Sequence, residues 1–143
     1  MGFLHKLFGK APAGDQILSV DGPGDYRMDI VGESHYQKEL RAICGRRSED
    51  GENRFLAAAL IEDDDNPYDD QAVRVEIEGR TVGYLPRNQA ARYRQNMAHQ
   101  GHAGETLYCG ANIRGGWRRS DGTAGNYGVW LDLPADLFRE HES

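Results

Sequence analysis

Gln71-Ala72-Val73-Arg74-Val75-Glu76-Ile77-Glu78-Gly79-Arg80-Thr81-Val82-Gly83-Tyr84-Leu85 is the stretch that decides the fold. Val73, Val75 and Ile77 alternate with Arg74, Glu76 and Glu78, the period-two pattern of a strand with one buried face. Glu78-Gly79 then turns the chain tightly into Thr81–Leu85, so the pair reads as an antiparallel hairpin. Pro86 follows and opens a helix over residues 88–99, with Ala90, Tyr93 and Met97 on its apolar face and Gly101 at its end.

Upstream, residues 54–61 form an apolar run of strand length behind the polar stretch 46–53. A helix is expected over residues 34–44. Ser34 is its N-cap, Gln37 completes a capping box, Tyr36, Leu40 and Ile43 form its stripe, and Gly45 closes it. Residues 27–31 suit a strand that ends at Gly32. Downstream, residues 106–113 and 127–133 read as strands around a Gly-rich loop over 114–126. About six mostly antiparallel strands and two helices result, with short connections and no internal repeat. The fold class is mainly β, a small OB-like barrel with two helices packed on it.

The organisation expected is an N-terminal segment and linker over residues 1–24, one domain over 25–133 and a C-terminal tail over 134–143. Phe3, Leu4, Leu7 and Phe8 share one side of a helical wheel, so a short amphipathic helix that docks a partner or caps the domain is expected there. No apolar run is long enough to span a membrane. Cys44 and Cys109 lack CxxC spacing and read as buried, reduced thiols of a cytoplasmic protein.

The 143 residues carry a formal net charge of −6, which argues against a protein that coats nucleic acid non-specifically. The charge is uneven. Residues 80–119 hold Arg80, Arg87, Arg92, Arg94, Arg114, Arg118 and Arg119 against Glu105 alone. Arginine forks suit phosphate and stack on rings, so a local anionic ligand or a nucleic-acid end remains compatible.

Asp63-Asp64-Asp65-Asn66-Pro67-Tyr68-Asp69-Asp70 is the most unusual segment. Its carboxylates lack the alternate spacing and glycine of a calcium loop, so no metal is expected. Asn66 and Pro67 set a turn whose Asp side chains cap backbone N–H groups. A turn alone leaves the aromatic ring of Tyr68 at its tip unexplained. His99 and His102 are split by Gly101 and have no third ligand nearby, so zinc is not expected. Gly-x-Ser-x-Gly, GxGxxG after a strand and the P-loop pattern are all absent, and neither an enzyme nor a cofactor is expected.

Ile30-Val31-Gly32-Glu33-Ser34-His35-Tyr36, Asn66-Pro67-Tyr68-Asp69 with Gln71-Ala72-Val73-Arg74-Val75, and Val82-Gly83-Tyr84-Leu85 resemble the HIRAN domain in order and spacing. The resemblance runs over roughly residues 25–133, without any helicase motif. It implies an OB-like barrel that captures the 3′ end of single-stranded DNA in repair or processing. By motif position, Tyr68 would stack a base, Asp69 would accept from the 3′-hydroxyl, and Asn66 would hold the turn or touch phosphate. Arg87 falls where the family places a phosphate-binding Lys, and Tyr84 where it has a His. Ser34-His35 departs from the Arg-Tyr of the DNA-binding version, which removes one phosphate contact, and Tyr36 matches an aromatic position. The alternative is a non-catalytic adaptor that kept the barrel, lost DNA binding and docks a protein through the N-terminal helix or the 114–126 loop.

Overall fold

The computed structural model describes residues 4–7 and 17–140. In chain order these form strands β1 (Leu4–Leu7), β2 (Ile17–Val20) and β3 (Met28–Asp29), a 3-10 turn (Glu33–His35), and helix α1 (Gln37–Cys44). Strands β4 (Glu52–Asp63), β5 (Ala72–Ile77) and β6 (Arg80–Tyr84), helix α2 (Arg87–His99), strands β7 (Leu107–Gly115) and β8 (Tyr127–Asp132), and a second 3-10 turn (Ala135–Phe138) follow. The architecture is mainly β with two helices in an OB-like half-barrel, as the alternation in β5 and β6 predicts.

Hydrogen bonding runs β8–β7–β4–β5–β6 through antiparallel neighbours, with β3 on the free side of β8. The circuit then closes. Val31, two residues beyond β3, exchanges both backbone bonds with Tyr84 at the end of β6: Val31 N to Tyr84 O at 2.8 Å and Tyr84 N to Val31 O at 2.9 Å. The predicted strand over 27–31 is therefore two residues of ladder plus this bridge. Gly83 makes the approach possible, because a Cβ there would lie 2.6 Å from Val31 O and 2.8 Å from the Ile30 side chain. At the hairpin, Ile77 pairs with Arg80, and Glu78 and Gly79 take φ of 52° and 75°, the two left-handed positions a tight turn needs.

Val73, Val75 and Ile77 face inward and are fully buried with Leu60, Val82, Leu107, Ile113 and Leu131. Each contributes roughly 1.5–3 kcal/mol relative to exposure. Helix α2 adds Ala90, Tyr93 and Met97, the face its spacing predicts, and Leu137 of the second 3-10 turn is also fully buried. Asn96 Nδ2 holds that turn by donating to Leu137 O and Arg139 O.

Three expectations are corrected. Leu4–Leu7 is a strand, antiparallel to β2, where the apolar spacing predicts a helix; a neighbouring strand satisfies backbone groups that a short isolated helix leaves marginal. Phe3 and Phe8 lie outside the described residues. Helix α1 begins at Gln37 with Tyr36 as N-cap and no side-chain cap, so Ser34 caps nothing and sits in the preceding 3-10 turn. Its supposed box partner, Gln37, bonds to β8 instead. Strand β4 reaches back to Glu52, through residues whose polarity reads as loop, because its first half is held by ladder pairs to β7 rather than by burial.

Cys44 and Cys109 are free and buried. Burial pushes their thiols up to about 11 and about 12. At most about one thiol in a thousand is then thiolate at pH 8, so Ellman's reagent should leave the native protein unmodified and titrate both cysteines in denaturant. Gly83→Ala should force the closing strands apart and cost about 1–3 kcal/mol. A thermal melt by circular dichroism coincident with the parent's would contradict that packing.

Candidate functional site

The β4–β5 turn is built by its own side chains. Asn66 Oδ1 accepts from Tyr68 N at 2.9 Å and Asp69 N at 3.2 Å, and Asp69 Oδ1 accepts from Gln71 N at 3.0 Å. These bonds shape residues 66–71 without a ladder and leave Tyr68 at the tip, 86% exposed. From the first turn of α2, Arg87 Nη2 donates to Tyr68 O at 2.6 Å, and its Nε lies 3.4 Å from Asp69 Oδ2.

Of the other carboxylates of this acidic run, Asp63 and Asp64 are engaged, and Asp65 and Asp70 are exposed. Arg94 pairs with Asp64 at 2.6 Å and Glu62 at 3.3 Å while donating to Ala72 O, which ties the turn to α2. Asp63 accepts from the Tyr84 hydroxyl at 3.3 Å and lies 3.6 Å from Arg74. Among the described residues no three His, Cys, Asp or Glu side chains gather as a metal site.

The facing wall comes from the segment after β3. Glu33 Oε2 accepts from Val129 N at 3.0 Å. The Gln37 carboxamide accepts from Tyr127 N at 2.8 Å and donates to Tyr127 O at 2.9 Å. Two anchors on β8 thus fix the 3-10 turn that presents His35 and Tyr36. Burial, opposed by its bond from Val129, holds the Glu33 carboxyl above the usual range. Tyr36 and Tyr84 meet with ring centroids 6.5 Å apart at 49°. Burial first, then Tyr36 and Asp63, raises the Tyr84 hydroxyl, which stays a neutral donor at physiological pH.

Between the walls lies a cleft of about 640 Å³ lined by Val31, Gly32, His35, Tyr36, Asn66, Pro67, Tyr68, Asp69, Ala72, Tyr84, Leu85 and Arg87. Seven of the eight residues singled out from sequence are therefore brought together. Ser34, exposed on the 3-10 turn, is not among the lining residues. The positioning residues Glu33, Gln37, Asp63 and Arg94 are not apparent from sequence. Their signal is present as polar residues flanking the motifs, but their partners lie far along the chain.

Chemically, the rings can take a planar group, the guanidinium an anion and the carboxylate a hydroxyl donor. On a small closed sheet, those features define a β-barrel recognition module. The family model of the HIRAN domain matches residues 23–110, more than half of the chain, and the chain belongs to the HIRAN family. HIRAN domains bind nucleic acid and are not catalytic by themselves. No curated protein and no solved structure matches the chain. The matched span stops inside β7, so β8, which anchors Glu33 and Gln37, lies beyond it. No helix among the described residues is long and apolar enough to cross a membrane.

Asn66→Ala removes the acceptor shared by two backbone N–H groups and should cost about 1 kcal/mol. Asn66→Asp keeps an acceptor and should melt close to the parent; urea titrations of the two variants check this.

Proposed function

We propose that the cleft captures the 3′-hydroxyl end of single-stranded DNA, in a repair or processing setting. The observation that carries this reading is the exposed Tyr68 ring on a turn built by Asn66, with Asp69 and Arg87 beside it and Tyr36, Tyr84 and His35 opposite. Stacking between aromatic side chains holds single-stranded bases without reading sequence. A carboxylate repels phosphate and accepts from a hydroxyl, so Asp69 makes chemical sense where the strand ends unphosphorylated. Arg87, 74% exposed at its side chain, takes a backbone phosphate near the end, exchanging its contact with Asp69 for a fuller charge. Family membership supports nucleic acid as the ligand class.

Fluorescence anisotropy with one oligonucleotide carrying either a 3′-hydroxyl or a 3′-phosphate tests the assignment. The parent should prefer the hydroxyl form. Asp69→Asn keeps the acceptor for Gln71 N but loses the charge, so it should narrow that preference more than it weakens binding overall. Tyr68→Ala should cost about 1–3 kcal/mol on both forms. An Asp69→Asn protein that discriminates the ends as the parent does would remove Asp69 from end recognition.

A further inference from the structure

We infer that the outer face of the barrel across β3, β8, β7 and β4 is a second nucleic-acid surface, one that carries the strand onward from the end cleft; the inference rests on the end-capture reading. The register places Asp29 beside Trp130, Trp130 beside Asn112, and Asn112 beside Phe55. Their neighbours along the strands, Leu131, Val129, Ala111 and Ile113, are buried in the core, so the row lies on the opposite face, where Phe55 is exposed, Trp130 is half-buried and Asn112, 1% exposed, is covered by Arg114 and Asn53. At about 4.8 Å per strand the row is roughly 14 Å long.

It is furnished for flat ligands. Phe55 is 57% exposed in mid-strand, and Tyr26 meets it edge-on with centroids 5.0 Å apart. Tyr26 adopts φ of 49°, an uncommon conformation for a non-glycine residue, and lies over Gly110. The Arg114 guanidinium sits 4.4 Å from the Trp130 ring centroid, and its Nε donates to Asn112 Oδ1. Arg114 is thus an exposed cation whose plane is already set, the arrangement that stacks on a base or takes a phosphate at little ordering cost. Rings and this arginine border a cleft of about 680 Å³.

The row also joins the end site. Asp29 stands two residues, about 7 Å of strand, before Val31 in the cleft wall. The carboxylates at its rim are partly answered, Asp25 by Arg27 and Glu52 by Arg54, each at 3.1 Å. Asp29 at the near end favours bases over phosphates against the sheet. Beyond the nucleotides held in the cleft, the row from Asp29 past Trp130 to Phe55 offers room for about four more bases at the stacked spacing of 3.4 Å.

The test compares 3′-hydroxyl oligothymidylates of about three and about eight nucleotides, the shorter confined to the cleft and the longer reaching the row. The parent should bind the longer more tightly. Phe55→Ala and Arg114→Ala should each weaken the longer about 5- to 100-fold and leave the shorter unchanged, whereas Tyr68→Ala weakens both. Arg114→Lys, which keeps the charge and loses the plate, should recover only part of the loss. In a Trp117→Phe background, Trp130 emission should be quenched by the longer oligonucleotide alone. If the row variants bind the longer strand as the parent does while Tyr68→Ala fails, the second surface is wrong and end capture stands; such a face would then suit a protein. If the parent binds neither length, both readings fall.

Discussion

Two backbone hydrogen bonds between Val31 and Tyr84 hold the rest of this structure in place. They convert an open sheet into a closed circuit, and they do so at the spot where the site lies. Val31 and Tyr84 both line the cleft, the turn bearing His35 and Tyr36 leaves directly from one, and the helix bearing Arg87 starts just after the other. The bare Cα of Gly83 permits the contact. The cleft and the closure share a seam, so whatever pulls the two strands apart also opens the cleft.

Charge is arranged around that seam more carefully than the net value of −6 suggests. The acidic run between β4 and β5 looks hostile to a polyanion. Arg94 draws Glu62 and Asp64 onto α2, and Asp63 faces Tyr84 and Arg74. Of these carboxylates Asp69 is the one in the cleft wall, with Arg87 against it. Elsewhere, arginines lie over the rings of Trp130, Trp117 and Tyr127. A mixed-charge chain thereby presents local sites that its overall charge conceals.

The hairpin of β5 and β6 was legible because alternation, a Glu-Gly turn and a following Pro all lie within a few residues of one another. Helix α2 was legible through Ala90, Tyr93 and Met97 for the same reason. The convergence of the candidate residues on one cleft was largely legible because their motifs pack side by side: Asn66, Tyr68 and Asp69 in one turn, Tyr84 and Arg87 around one strand end. What escaped depends on distant partners. Gln37 spends its amide on Tyr127, ninety positions away, which no local cap rule reveals. The start of β4 is exposed and needs β7 to be a strand at all. Leu4–Leu7 has an amphipathic pattern too short to choose its period, and the neighbouring β2 decides it.

Strand β8 has one more consequence, for the order of events on the ribosome. It emerges after every other described strand, yet it supplies the partner for β3, the partner for the free edge of β7 and the anchors for Glu33 and Gln37. Until it arrives, β7 presents unpaired N–H and C=O groups to any passing chain, the state in which strands join edge to edge. A nascent copy thus carries its recognition motifs long before it can hold them in place. The cleft takes shape only with closure of the sheet, and short-lived fragments that end within β7 would be sticky rather than folded.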